Sequence, residues 1–115
     1  LFPFVQNADE ARRAVAATRY PPEGVRGMAG MSRGSKFGTI PDYFKTANKN
    51  IGVIVQLETP AAVGRLEEIA AVPGVDAIFV GPNDLNAQMR GPDGKDPTPA
   101  EHEAMCQRIL AIGKK

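Results

Sequence analysis

Four short apolar runs, each followed by a polar turn and then a helix-like pattern, constrain this chain more than any other feature. They occupy residues 1–5, 24–28, 51–57 and 75–80. Strands that alternate with helices pair in parallel through right-handed crossovers, because a right-twisted strand feeding a helix packs back onto the sheet only that way. The expected fold class is therefore α/β, with four βα units in a single domain over residues 1–115. The third run, Ile51-Gly52-Val53-Ile54-Val55-Gln56-Leu57, is nearly all apolar and β-branched. That is the composition of a strand covered on both faces. The second run, Gly24-Val25-Arg26-Gly27-Met28, is weaker.

Between the runs, start and stop signals place the helices. Asn7 with Glu10 has capping-box spacing, which predicts a helix from Ala8 to about Arg19, ended by Pro21-Pro22. Pro41 to Asn50 reads as a helix with proline in its first turn. Thr59-Pro60 supplies an N-cap and an N1 proline. The helix they open is expected to turn Ala62, Leu66, Ile69 and Ala70 inward and to stop at Pro73-Gly74. Thr98-Pro99-Ala100-Glu101 starts a last helix, which runs to about Ile112. A polar loop is expected over residues 89–97.

Several function classes are disfavoured. Net charge is +1, with Lys and Arg scattered and not interleaved with aromatics, so neither nucleic acid nor an anionic membrane is an expected partner. No apolar run approaches the roughly 20 residues of a membrane span. No glycine-rich phosphate-binding fingerprint follows any strand. The lone Cys106 permits no internal disulfide and fits a reducing, cytoplasmic compartment. The opening residues lack the charge and length of a signal peptide, and the apolar start at Leu1 suggests a chain that begins inside a domain.

In parallel α/β proteins, ligands bind at the carboxyl ends of strands. The third run ends in Gln56-Leu57-Glu58-Thr59 and the fourth in Gly81-Pro82-Asn83-Asp84. Adjacent parallel strands lie about 4.8 Å apart, so acids one βα unit apart can reach one ion. Carboxylates without His or Cys favour a hard divalent cation. An acid after a strand is also a common helix N-cap, and Asp84 fits that role equally. Glu58 fits it less, because Thr59 already supplies a cap.

These residues also carry a family likeness. Leu1-Phe2-Pro3-Phe4-Val5-Gln6-Asn7-Ala8-Asp9-Glu10-Ala11 resembles the 2,4-dihydroxyhept-2-ene-1,7-dioate (4-hydroxy-2-oxoheptanedioate) aldolases, of the class II pyruvate aldolase/citrate lyase family. The likeness continues through Ala17-Thr18-Arg19-Tyr20-Pro21-Pro22, Ile40-Pro41-Asp42-Tyr43, Val55-Gln56-Leu57-Glu58-Thr59 and the segment from Gly74 to Leu85. It implies a (β/α)8 TIM barrel of which this chain is the C-terminal part, since a whole barrel needs about 250 residues. On that likeness the upstream strands and the last strand are not represented.

The resemblance further implies metal-dependent, reversible cleavage of 4-hydroxy-2-oxo acids to pyruvate and an aldehyde, in aromatic compound catabolism, by a homo-oligomer that is hexameric in relatives. Glu58 and Asp84 match the ligands of a divalent metal (Mg²⁺, Mn²⁺ or Co²⁺). Gln56 matches a contact to the substrate keto group, and Gly81, Pro82 and Asn83 match the cradle for the 2-oxo acid carboxylate. Nothing in the segment matches the family's catalytic His and Arg, which lie upstream. His102, in the last helix, reads as a solvated surface histidine. Arg26 and Arg33 are the cations nearest to strand ends.

Two other readings stand beside this one. One is a CoA-ester lyase of the citrate lyase β type, disfavoured by the lack of a basic groove for nucleotide phosphate and by Gln56-Leu57-Glu58-Thr59-Pro60. The other is a non-catalytic α/β module or barrel fragment whose acids only cap helices.

Overall fold

In a computed structural model of the chain, residues 1–113 are described. Strands β1 (Ile54–Leu57) and β2 (Ala77–Val80) pair in parallel, with Gln56 opposite Phe79 and Leu57 opposite Val80. Residues 1–5 lie beside β1 on its other edge, joined by a single parallel bridge from Phe2 to Val55. Six α-helices accompany the strands among the described residues: α1 (Ala8–Thr18), α2 (Tyr43–Thr46), α3 (Pro60–Gly64), α4 (Leu66–Ala70), α5 (Pro82–Gln88) and α6 (Pro99–Gly113). The α/β class and parallel pairing expected from the sequence are present.

The count of four βα units is not. Residues 24–28 form no strand. Their N–H groups at Val25 and Arg26 instead bond back to the carbonyls of Ala16 and Arg19 at the end of α1. Gly24 makes that return possible, since a Cβ there would lie 2.3 Å from the Ala16 carbonyl oxygen. Two glycines in five residues also weaken any strand. Val25 and Met28 are left exposed, as are Met31 and Phe37 further along. The molecule is elongated, 55 × 25 × 20 Å.

Local chemistry explains the helix boundaries. Asn7 Oδ1 accepts from the Glu10 N–H at 2.9 Å, while the Glu10 carboxylate reaches back to the Gln6 N–H at 2.8 Å. Asn7→Ala should therefore cost about 1 kcal/mol, read as a lower urea midpoint of the full-length protein. An unchanged midpoint would refute the cap. Thr59 Oγ1 accepts from the Ala62 N–H and donates to Gln6 Oε1, tying the start of α3 to the entry of α1. Thr98 and Glu101 close a reciprocal box on α6. The Thr98 hydrogen bonds hold the Glu101 carboxyl below its ordinary range.

Two helix expectations are corrected. The helix after Thr59 is broken at Arg65 (φ −110°, ψ 14°), beside Gly64, whose helix propensity is poor. The break turns Val63 inward with Ala62, Leu66 and Ile69, and leaves Ala70 exposed. The helix expected over 41–50 starts only at Tyr43, because Asp42 takes a left-handed φ of 52°, and its second half is a 3-10 turn, Ala47–Asn50. Ahead of the polar segment 89–97, Pro82 opens a further short helix, α5.

Leu57, Leu66, Ile69, Leu85 and Ile109 form the centre of the core with Val53 and Val55. Helices α3, α4 and α6 contribute to one side of the sheet. The other side is open, contrary to the expected two-sided cover: Ile54 is 38% and Phe79 49% exposed. Residues of a strand alternate between faces, so this open face also carries Gln56 and, beyond the strand ends, Glu58 and Gly81.

Candidate functional site

The carboxyl end of that face gathers a buried acid. Glu58 is 1% exposed. Its Oε2 accepts from the Phe4 N–H at 2.8 Å and its Oε1 from Gln56 Nε2 at 2.7 Å. Among the described residues no Lys, Arg or His forms an ion pair with it. An ionised carboxylate buried without a cation is costly, and two N–H donors offset only part of that cost.

A bulge beside β1 supplies the first donor. Phe2 donates to the Ile54 carbonyl and accepts from the Gln56 N–H, in regular parallel register. The next rung toward the Gln56 carbonyl is then made by Val5 instead of Phe4. Pro3 has no N–H to give, and Phe4 takes a left-handed φ of 52°. One residue is thus extra on this side, the hallmark of a bulge. Its consequence is a Phe4 N–H turned from the ladder onto the Glu58 carboxylate. A bulky residue with positive φ costs on the order of 1–3 kcal/mol and persists only where its surroundings enforce it.

Gly81 makes the other wall. A Cβ built there would lie 2.5 Å from Glu58 Oε1, 2.6 Å from Glu58 Cγ and 2.8 Å from Gln56 Nε2. The absence of a side chain lets the end of β2 close against the two polar groups. Three of the residues singled out from the sequence, Gln56, Glu58 and Gly81, are therefore in contact. Pro82, Asn83 and Asp84 follow in the first turn of α5 with exposed side chains. Asp84 does not cap that helix: Gly81 is the N-cap, with no side-chain cap bond. No group of three or more His, Cys, Asp or Glu side chains gathers among the described residues. Mg²⁺-like ions are commonly held by only one or two protein carboxylates with water and substrate oxygens, so the donor set fits such an ion.

Two contributors were not anticipated from the sequence. One is the Phe4 N–H, for which Pro3 inside an apolar run was the available signal. The other is His102, which is half-buried and places Nε2 2.9 Å from the Pro82 carbonyl oxygen. Its position on the inward stripe of α6, with Met105, Cys106, Ile109 and Ile112, was the signal. Arg26 lies over the Tyr20 ring, 4.5 Å from its centroid, and Arg33 opens a 3-10 turn in the segment between α1 and α2. Neither makes a contact with the Glu58 cluster among the hydrogen bonds and ion pairs of the described residues.

The chain is similar to known proteins. The family described as HpcH/HpaI aldolase/citrate lyase matches residues 1–115. The chain is 50% identical over 115 residues to the 5-keto-4-deoxy-D-glucarate aldolase of Klebsiella pneumoniae subsp. pneumoniae, covering 100% of this chain and 44% of that protein. It is 57% identical over 89 residues to the protein of the same name from Salmonella arizonae, covering 77% of this chain and 35% of the relative. Among solved structures, an HpcH/HpaI aldolase/citrate lyase family protein from Burkholderia cenocepacia J2315 superposes with a TM-score of 0.88 at 44% identity, over 98% of this chain and 45% of that one. The chain thus spans less than half the length of the relatives it matches. Their name differs from the narrower heptenedioate branch suggested by the sequence motifs, and lies within the same family. On a match that runs from its first residue to its last, the chain belongs to the HpcH/HpaI aldolase/citrate lyase family.

Proposed function

We propose that the full-length protein is a divalent-metal-dependent aldolase that cleaves a 4-hydroxy-2-oxo acid to pyruvate and an aldehyde. In this reading the chain is the metal-bearing part of a (β/α)8 barrel. The observation that carries it is Glu58: a carboxylate that is 1% exposed, oriented by two N–H donors and lacking a cationic partner among the described residues. Glu58 and Asp84 would hold the cation. Bound there, a divalent ion supplies Lewis-acid stabilisation of the negative charge that develops on the substrate keto oxygen.

The chain's own residues have distinct parts in this. The Phe4 N–H and the Gln56 amide hold the Glu58 carboxylate in one orientation. With its amide at the mouth of the cluster, Gln56 is also the group placed to contact the keto oxygen. Gly81 leaves the space in which a small 2-oxo acid can approach, and the backbone of Asn83 offers a donor to its carboxylate. Pro82 lacks an N–H and only shapes the turn. In the cleavage the bond between C3 and C4 breaks, its electron pair passes to C3 of the 2-oxo fragment, which becomes pyruvate on taking up a proton, and the C4 hydroxyl proton leaves with formation of the aldehyde. The groups that move that proton are expected from the family's His and Arg, outside this segment.

The substrate class follows from the relatives' name. In 5-keto-4-deoxy-D-glucarate the ketone adjoins a carboxylate, the deoxygenated carbon comes next, and a hydroxylated carbon follows. Read from the ketone end, that is a 4-hydroxy-2-oxo acid, with a second carboxylate on the aldehyde side. A polyhydroxylated diacid of this kind is proposed here in preference to an aromatic breakdown product. Exposed Val25, Met28, Met31 and Phe37 on the segment between α1 and α2 support association into a homo-oligomer.

A chelator tests the reading. EDTA should stop pyruvate release by the full-length protein, and Mg²⁺, Mn²⁺ or Co²⁺ should restore it. Turnover that persists in chelator would point to a Schiff-base lysine. For that role the described part of the chain is poorly equipped, since Lys36, Lys45, Lys49 and Lys95 are all exposed.

A further inference from the structure

Helix α5 is seven residues long and buries only Leu85. Two helical turns are marginal alone, so their position depends on what they pack against. The start of α5 has few means of its own. Gly81 offers no side-chain cap, and Pro82 has no N–H. The side chains of Asn83 and Asp84 are exposed and make no hydrogen bond among the described residues. Against this stands α6, 15 residues long and anchored by Ile109, with Met105, Cys106 and Ile112 packed on the core.

His102 connects the two. Its Nε2 is 2.9 Å from the Pro82 carbonyl oxygen. A carbonyl can only accept, so the imidazole presents an N–H at Nε2. Cys106 Sγ, one turn along α6, lies 3.9 Å from the same nitrogen and backs the ring. Burial pushes the Cys106 thiol up from its ordinary range, so it stays uncharged beside the ring.

We propose that His102 is a positioning residue: by donating to the Pro82 carbonyl it pins the turn that carries Gly81, Asn83 and Asp84 to the rigid helix α6. It touches neither metal nor substrate and acts only through that turn. The consequence for ligand binding rests on the metal-site reading above, whereas the pinning itself does not.

The test uses the full-length protein with His102→Leu, which keeps bulk and removes the donor, and His102→Gln, whose amide can replace the N–H. In metal-free protein, amide hydrogen exchange at Leu85 and its neighbours in α5 should quicken about five- to tenfold in His102→Leu, the yield of one neutral hydrogen bond, and return to within about twofold of wild type in His102→Gln. Mn²⁺ titration should show a dissociation constant raised about fivefold in the leucine variant and restored in the glutamine variant. The KM for the 2-oxo acid should rise more than kcat falls. Unchanged exchange in His102→Leu would overturn the proposal. So would a glutamine variant as impaired as the leucine one, which would mark the ring as packing only. Wild-type protein that binds no Mn²⁺ would defeat the metal reading, and the exchange measurement would still decide the role of His102.

Discussion

Glu58→Gln in the full-length protein is expected to lower metal-dependent pyruvate release by at least about 100-fold, while the protein stays folded. A group that stabilises developing charge in a water-poor site is typically worth two to three orders of magnitude in rate. The substitution preserves shape, and the new amide oxygen can still accept from the Phe4 N–H that now bonds Oε2 at 2.8 Å. Gln56, whose Nε2 now donates to Oε1, has to turn its amide so that its oxygen accepts from the new side-chain N–H; with that exchange made, what disappears is the charge. Removing an uncompensated buried charge is often neutral or stabilising for the fold, so the melting temperature should hold or rise in the absence of metal. Asp84→Asn should produce a similar loss of activity with no change in melting temperature, because its side chain is exposed. Pyruvate release followed by a coupled reductase, with thermal unfolding in parallel, separates the outcomes. Wild-type rates in either variant would exclude the pair as metal ligands.

Gly81→Ala is expected to be nearly as damaging, by a steric route. The added methyl would sit 2.5 Å from Glu58 Oε1 and 2.8 Å from Gln56 Nε2. Neither neighbour is a free-ended surface chain that can swing aside: Glu58 is buried and held at both oxygens. Forcing the methyl in should cost about 1–3 kcal/mol, the usual range for overpacking. It should also push the carboxylate off its donors and cut activity at least about tenfold, since small misplacements of positioned groups are costly in rate. Urea unfolding and a Mn²⁺ titration read the two effects separately. An alanine variant with normal stability and normal Mn²⁺ affinity would show that the close wall at Gly81 is not needed.

Much of this was legible from residue spacing. The caps at Asn7, Thr59 and Thr98 depend on neighbours within a few positions, which a sequence displays directly, and the alternation of apolar runs with helix signals carries the α/β class and its parallel strands. Failures came where local propensity was overruled at a distance. Residues 24–28 have a strand-like composition, yet their N–H groups are taken by carbonyls at the end of α1. Residues 82–88 carry no strong helix signal of their own, yet they form α5. Leu85, 0% exposed, holds them in helical form by entering the core.

Sequence alone therefore determined which residues form the strand ends, and so which acids and which glycine stand at the rim: Gln56, Glu58, Gly81 and Asp84 follow from an alternation of apolar runs and capped helices. Only the tertiary structure decided that Glu58 is buried, that a bulge at Phe4 aims an amide at it, and that His102 reaches the Pro82 carbonyl. The reason is physical. Strand and helix periodicity is written in contacts a few residues apart, whereas the Glu58 carboxylate is held by an N–H 54 positions away and His102 meets a carbonyl 20 positions away, and folding alone brings those together.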